Sequence, residues 1–356
     1  MVIYFVLYSA IGFTALFIKN LKADYTKRRF LFCMIAFVLL VLLFSVRHPS
    51  MGVDLQYDST NGYIGQFQQI SQLSFTELFS TSILSYEIGF VIFNKLISYI
   101  STDVQFYLFA CTFFAVCPIT YVIYKYSKSP LFSFLIYIGL PSFLMLFSGM
   151  RQILAIGLCT IALKFIFEKK LFKFIITVIF ASLFHYSASI FLIAYPCYYL
   201  KFNNIGRVAS LILIGLIFVF RVPIFNFLSQ LYKEEAEIDN NGAIGLFIVF
   251  VLVYVYCFIF SKTNTDVRGL LNIFFLACVC QAFSGIYSTA MRIGYYFMIP
   301  LILLLPNVVN KIDDVKVREI SYIFISVAFI IFGLISIYNS SWAMSYPYYF
   351  FWETVV

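Results

Sequence analysis

The stretch "FLFCMIAFVLLVLLFSV", residues 30–46, decides the fold of this chain because it contains no charged residue. A helix that crosses a bilayer needs about 17–25 apolar residues, and its backbone polar groups must bond one another in lipid. The basic residues Lys27, Arg28 and Arg29 precede this stretch, and Arg47 follows it. The pattern therefore predicts a transmembrane helix with a charged boundary at each end.

The composition extends this interpretation to the whole chain. Hydrophobic residues make up 63% of the 356 positions and charged residues 11%, and the mean hydropathy is +0.96. These values lie far from those of soluble globular domains. All eight cysteines fall in apolar runs without a zinc-type spacing, so we expect buried thiols and no metal. We expect an all-α integral membrane protein in which residues 1–356 form a single polytopic domain.

Twelve apolar runs are candidate transmembrane helices. They are residues 1–18, 30–46, 104–124, 131–147, 150–168, 171–184, 187–200, 208–220, 243–261, 269–288, 293–309 and 320–338. Positive charges follow the first run rather than precede it, which favours a retained helix over a signal peptide. The run at 83–100 carries Glu87, Asn94 and Lys95, and its amphipathic character predicts an interfacial or re-entrant helix.

The positions of lysine and arginine predict the orientation. Cytoplasmic loops hold an excess of these residues, and the cluster from Lys19 to Arg29 places the first loop inside. Counting through twelve spans, both termini lie outside, with outer loops at about 47–103 and 221–243. The net charge of +8 is then a signal of topology, which indicates membrane lipids rather than nucleic acid as partner.

Three outward arginines stand in short polar interruptions of apolar sequence. Arg47 lies in "SVRHPSMGVD", Arg151 in "SGMRQ" and Arg292 in "STAMRIGYY". A charge at such depth costs a few kcal/mol, so it marks a candidate functional site. The guanidinium fork matches phosphate oxygens, and the chain has no Gly-rich phosphate loop, Walker lysine or nucleophile elbow. We therefore expect a polyanionic ligand that is partly embedded in lipid.

The same outward level carries His185, Asp54 and Glu87. Each residue also has a structural explanation: His185 bonded to a carbonyl in one bent helix, Asp54 in a turn, Glu87 as a helix cap, and Arg47 reaching lipid headgroups. Separate explanations account poorly for charges that converge on one face. Aromatic residues are abundant, and their faces suit sugar rings as well as a membrane interface.

Several short motifs occur in an order that resembles the EpsG-like, Wzy-type polymerases of O-antigen, capsule and exopolysaccharide. The likeness runs as islands from about residue 47 to residue 351. The islands are Arg47, "MGVD" ending at Asp54 with Tyr57 or Tyr63 after it, "YEIGF" at 86–90, "SGMRQILA" at 148–155, "SLFHYSASIF" at 182–191, "MRIGYY" at 291–296, and a late "YPYYFF" at 346–351.

The resemblance implies a GT-C-like fold and a glycosyltransferase that joins oligosaccharide repeat units carried on undecaprenyl pyrophosphate. The reaction would take place at the outer face of the bacterial plasma membrane, without a cofactor, alongside a flippase and a chain-length regulator. The implied roles are pyrophosphate binding by Arg151, Gln152, Arg292 and Arg47, general base catalysis by His185, Asp54 or Glu87, and sugar binding by Tyr57 and Tyr295.

Three other functions remain open. A flippase for lipid-linked sugars would need a second basic cluster inside, and the sequence shows no matching inward motif. A membrane acyltransferase fed from the cytoplasm should carry its histidine near the inner face. An O-antigen ligase performs the same chemistry, and the loop near 47–103 is of the kind that such a ligase carries.

Overall fold

The protein is all-helical in a computed structural model, which describes residues 1–55, 61–79, 86–202, 204–232, 243–261 and 265–355. Among these residues there is no strand, only an isolated bridge between Arg47 and Phe350. The α-helices are α1 (Val2–Lys19), α2 (Tyr25–Ser45), α3 (Tyr63–Gln72), α4 (Ile88–Ser98), α5 (Val104–Tyr126), α6 (Pro130–Gly139), α7 (Met150–Phe167), α8 (Leu171–Ser182), α9 (Ala194–Tyr199), α10 (Asn204–Val219), α11 (Arg221–Tyr232), α12 (Ala243–Phe260), α13 (Thr265–Phe283), α14 (Ser288–Met298), α15 (Leu301–Val309) and α16 (Val315–Asn339). The expected all-α class is confirmed.

Five helices of the described chain, α1, α2, α5, α7 and α16, are long and apolar enough to cross a membrane. The count rises to seven if two bent pairs each form one span: α10 with α11, bent by 74°, and α14 with α15, bent by 49°. The apolar helices α4, α6 and α8 are shorter, and α12 and α13 fall just below the 18 residues of such a span when only Ile244–Phe260 and Val267–Phe283 are considered. The described residues thus contain the helices of an integral membrane protein, and the expected count of twelve spans is not confirmed.

Three of the predicted spans are not continuous α-helices, and one of them, the run at 293–309, contains the break between α14 and α15. The run at 131–147 divides into α6 and the 3-10 helix Pro141–Leu146, because Leu140 before the proline is extended at φ −77° and ψ 143°. The run at 187–200 forms the 3-10 helix Tyr186–Ile193 followed by the short α9. Hydropathy measures only how long a sequence stays apolar. Because these breaks lie inside apolar sequence, hydropathy does not detect them.

The helix directions define two ends of the bundle. Arg29 at the start of α2 donates from Nε to the Tyr124 carbonyl at 2.6 Å and from Nη2 to the Ser127 carbonyl at 2.7 Å, near the end of α5. We call this end, with the first loop and the α5–α6 turn, the basic end. At the other end of α2, the Gln105 side chain near the start of α5 donates to the Ser45 and Arg47 carbonyls. Since α2 has 21 residues, the two ends lie about 30 Å apart.

The amphipathic segment at 83–100 contains α4, and its residues 83–85 lie outside the described residues. At 11 residues, α4 rises about 16 Å, which is short of a bilayer core of about 30 Å. Its Lys95 is buried, and the ammonium donates to the carbonyls of Ile70, Ser71 and Leu73 at the end of α3. Lys95 therefore caps α3 and holds α4 against it.

The C-terminal segment fastens the loop that follows α2. The His48 N–H donates to the Tyr349 carbonyl at 2.8 Å, and the Phe351 N–H donates to the Val46 carbonyl at 2.9 Å. The Tyr348 hydroxyl also donates to the Leu43 carbonyl. This pairing fixes the position from which the chain enters the first outward loop.

Gly52 then directs this loop onto the turn before α7. It has a φ of +122°, and an added Cβ would lie 2.0 Å from the Phe147 carbonyl oxygen. Glycine is required here both for its conformation and for the close approach. Two residues later the Asp54 N–H donates to Ser148 Oγ at 3.1 Å, so Asp54 is held beside the start of α7.

Candidate functional site

A cavity of about 160 Å³ lies where the start of α7 meets the first loop and the loop after α8. Most of its walls are polar side chains. They are Asp54, Tyr63, Tyr86, Met145, Gly149, Arg151, Gln152, His185 and Arg292. The cavity thus brings together five residues that the sequence singled out: Asp54, Arg151, Gln152, His185 and Arg292.

The α7 helix presents its N-terminus to this cavity. Gly149 precedes the helix, and no side chain caps its first turn. The unpaired N–H groups and the helix dipole favour an anion at such a position. Arg151 and Gln152 project from this first turn, and the Gln152 side chain donates to the Arg292 carbonyl at 2.7 Å. That bond ties α7 to α14 and brings the two arginines to one wall.

Arg151 is held on three sides. Its Nη1 lies 2.6 Å from Glu87 Oε2, and its Nε donates to the Tyr63 hydroxyl at 3.3 Å. The guanidinium carbon lies 4.2 Å from the centre of the Tyr86 ring, within the range of a cation–π contact. The side chain keeps 23% of its exposure. It is therefore fixed in orientation and still reaches the cavity.

Glu87 precedes α4 and forms the back of the Arg151 site. Burial alone would raise the pKa of its carboxyl group. The hydrogen bonds from backbone N–H groups, including that of Tyr186 at 3.1 Å, and the charge of Arg151 together hold the pKa below its ordinary value. The carboxylate is thus ionised and already paired at neutral pH, which makes it a poor proton acceptor.

His185 lies between α8 and the 3-10 helix that follows. Its Nδ1 lies 3.0 Å from Ser187 Oγ and 3.9 Å from Glu87 Oε1, and it accepts the Ser187 N–H. Burial is the largest cause that lowers the pKa of His185 to about 4; the charges of Arg151 and Arg292 act in the same direction, and Glu87 opposes them. The imidazole is therefore neutral at neutral pH, and the bond from Ser187 favours the tautomer that carries its proton on Nε2.

Asp54 and Arg292 are the uncommitted charges of the cavity. In the described part of the chain, no hydrogen bond or ion pair reaches the Asp54 carboxylate or the Arg292 guanidinium. Arg292 is exposed, and Asp54 is partly exposed. The cavity thus offers one unpaired base and one unpaired cation, together with the oriented Arg151.

Three described residues that the sequence predicted for the site do not line the cavity: Glu87, which stands behind Arg151, and Arg47 and Tyr295. Arg47 is fully buried, with its guanidinium carbon 5.0 Å from the Phe147 ring and 5.6 Å from the Phe44 ring. Within the described residues none of its guanidinium nitrogens has an acceptor, and burial lowers the pKa of Arg47 to about 10. Tyr295 is 1% exposed, so a sugar ring does not reach it in this arrangement. Tyr57 lies outside the described residues.

The sequence reasoning missed the aromatic walls. Tyr86 stands in "YEIGF" and Tyr63 is the second tyrosine after Asp54, so both were near singled-out residues without being assigned a role. In the structure their rings lie 5.4 Å apart and flank Arg151. The docking of α3 against α4 produces this pair, and no local pattern signals it.

Comparison with known proteins adds one finding. Residues 30–350 match the model of the EpsG family, which covers nearly the whole chain. No curated protein and no solved structure shows a significant match.

Proposed function

We propose a function from one premise: the chain belongs to the EpsG family, a family of Wzy-like polymerases. It joins oligosaccharide repeat units carried on undecaprenyl pyrophosphate into exopolysaccharide, capsule or O-antigen. The observation that carries the proposal is the cavity in which Arg151 and Arg292 meet the uncapped N-terminus of α7. Fixed arginines and a helix N-terminus together suit a diphosphate.

The size of the cavity supports a division of the substrate. At about 160 Å³ it is smaller than the roughly 300–1,000 Å³ of sites that enclose a whole small molecule. It accommodates the charged pyrophosphate and the sugar carbon attached to it, while the polyprenyl chain lies in lipid and the remaining sugars lie outside. The partly exposed ring of Tyr86 is the aromatic contact that we propose for the reacting sugar, and we retain Tyr57 as a further sugar contact.

The proposed reaction is a single group transfer. A hydroxyl oxygen of the acceptor repeat unit attacks the anomeric carbon of the donor, and the bond between that carbon and the pyrophosphate oxygen breaks. The electron pair of this bond leaves with undecaprenyl pyrophosphate, and the hydroxyl proton passes to the base. Arg151 and Arg292 stabilise the charge that develops on the leaving oxygen, and preorganised electrostatic stabilisation of this kind often contributes more to catalysis than any other effect.

We assign the general base to Asp54 among the three candidates. Glu87 is engaged by Arg151. His185 accepts the Ser187 N–H at Nδ1 and carries its proton on Nε2, so neither ring nitrogen is free to accept a proton. The Asp54 carboxylate has no partner among the described residues and is placed by its N–H bond to Ser148. Its charge would also favour the positive character that develops at the anomeric carbon. His185 then serves as a hydrogen-bond donor through Nε2 to a substrate hydroxyl.

The location of the reaction follows from the distribution of charge. We propose that the basic end faces the cytoplasm, since Lys and Arg residues are retained there, and that the cavity opens at the outer face of the plasma membrane. Both termini would then lie outside. A flippase that delivers the lipid-linked unit and a chain-length regulator are the proposed partners.

A deletion strain complemented with variants tests the function. Arg151→Ala or Arg292→Ala should abolish long polymer and leave single repeat units at the cell surface. Arg221→Ala is the matched control, because Arg221 is partly exposed, bonds the Phe218 carbonyl and does not line the cavity. Long polymer from both cavity variants would contradict the site. Repeat units trapped inside the deletion strain would favour a flippase instead.

A further inference from the structure

The basic end contains a second cavity, of about 510 Å³, between α1, α2 and the start of α6. Its cationic wall consists of Lys19, Arg28, Arg29 and Lys128, and no carboxylate lines it. About 30 Å of α2 separates it from the candidate polymerase site. The cleft therefore needs its own explanation.

The cations of this cleft are not neutralised by the protein. The Arg29 guanidinium donates to carbonyls at the end of α5 and to the Tyr25 hydroxyl, so its positive charge is held in a fixed position. Arg28 gives one nitrogen to the Lys19 carbonyl at 2.9 Å, and its buried Nε has no acceptor in the described part of the chain. The ammonium groups of Lys19 and Lys128 have neither a hydrogen bond nor an ion pair among the described residues.

The nearest acidic residue along the chain, Asp24, does not neutralise the cations of the cleft. Asp24 accepts the Lys27 N–H as the cap of α2 and does not line the cleft. The excess positive charge is therefore open to an external anion. Retention of a loop in the cytoplasm requires lysine and arginine near the membrane, but it does not require them to surround a cavity.

The remaining wall of the cleft is apolar. Ala15, Ile18, Phe32 and Leu131 lie beside the four cations. The adjacent residues Leu16 and Phe17 of α1 are 62% and 67% exposed, as expected for a helix face that contacts lipid. A ligand that fits both walls carries a phosphate and an acyl chain, and basic pockets between transmembrane helices bind such headgroups.

We propose that this cleft binds an anionic phospholipid, with its phosphate held by Lys19, Arg28 and Lys128 and its acyl chain against the apolar wall. The lipid bridges α1, α2 and the α5–α6 turn, so it stabilises the basic end of the bundle. The site does not depend on the reaction proposed above, and its test can fail while the polymerase assignment stands.

Purified full-length protein in a neutral detergent tests the proposal. Phosphatidylglycerol is titrated in, bound lipid is counted by native mass spectrometry, and the unfolding temperature is recorded. The triple variant Lys19→Gln, Arg28→Gln, Lys128→Gln should bind on the order of 100-fold more weakly and lose the thermal shift. The matched control Lys22→Gln, Lys27→Gln, Lys125→Gln removes the same charge from exposed residues outside the cleft and should bind as wild type.

Three results would overturn the proposal. Equal loss in the control would show a diffuse surface field rather than a site. Equal stabilisation by inorganic phosphate would show a free-anion site, and equal binding of phosphatidylcholine would show that the cations make no contribution. If the triple variant does not fold, the single variants Lys19→Gln and Lys128→Gln change exposed residues, and each should weaken binding about fivefold.

Discussion

Replacement of Arg151 by lysine separates charge from geometry at the candidate site. Arg151 bonds Glu87 through Nη1 at 2.6 Å and Tyr63 through Nε at 3.3 Å. Its Nη2 has no bond among the described residues and remains for a ligand in the cavity that the side chain lines. A lysine keeps the charge but has a single nitrogen, which must serve either Glu87 or the pyrophosphate. If the fork stabilises the leaving group, its loss should lower kcat about 100- to 1,000-fold, or roughly 3–4 kcal/mol of transition-state stabilisation.

The cost to folding should be smaller. The Arg151 and Glu87 side chains are 23% and 15% exposed, and lysine retains an ion pair with Glu87. The substitution then loses only the hydrogen bond to Tyr63 and part of the contact with Tyr86, so we expect about 1–2 kcal/mol of lost stability. The measurements are initial rates on a lipid-linked repeat unit, followed as a ladder on gels, and the unfolding temperature of the same preparation. A large fall in rate with a modest loss of stability is the expected result.

Arg221→Lys is the matched control for this experiment. The Arg221 guanidinium carbon lies 4.2 Å from the Phe218 ring, the same distance as that of Arg151 from Tyr86. Arg221 is outside the cavity, so its conversion to lysine should leave the rate unchanged. If Arg151→Lys also stays within about threefold of wild type, the guanidinium fork does not act on the leaving group. Adding Glu87→Gln to Arg151→Lys should restore part of the rate, because the ammonium then has no competing carboxylate.

Three further predictions use the same assays. The pKa of His185 is lowered to about 4, so between pH 6.5 and 4 the imidazole takes up a proton only in the unfolded state. The free energy of unfolding should therefore fall as the pH falls, by up to about 1.4 kcal/mol per pH unit. His185→Asn should flatten this dependence, and an unchanged slope would contradict the lowered pKa. Gly52→Ala should lower the free energy of unfolding by about 2–3 kcal/mol and abolish long polymer, because the added Cβ would clash with the Phe147 carbonyl. Gly12→Ala is the control: its Cβ would meet open space, so the change should be neutral or stabilising. Arg47→Met should raise the unfolding temperature, since it removes a buried charge without acceptors; a loss of rate equal to that of Arg151→Lys would return Arg47 to the pyrophosphate site.

The convergence of Asp54, Arg151, His185 and Arg292 could be predicted from sequence because each interrupts apolar sequence at the same expected level. Such interruptions are rare where insertion costs several kcal/mol, so their alignment carries information even without coordinates. The ion pair of Arg151 with Glu87 could not be predicted in the same way. It depends on how α4 packs against α3. The Lys95 ammonium fixes this packing by donating to backbone carbonyls, and every residue has a backbone carbonyl, so the sequence does not indicate the contact.

The structure places Arg47 apart from the cavity that Arg151 and Arg292 line. Its place after α2 predicted the correct end of the bundle, since the loop that it begins leads to Asp54. Depth along a helix does not determine the direction of a side chain, and the pairing of this loop with the C-terminal segment turns Arg47 toward Phe44 and Phe147. A buried guanidinium that packs against aromatic rings and has no hydrogen-bond acceptor has a structural role, and its desolvation lowers the stability of the fold. An arginine that binds pyrophosphate must therefore have a donor without an acceptor and must line the cavity. Arg292 meets both conditions, whereas Arg47 does not line the cavity.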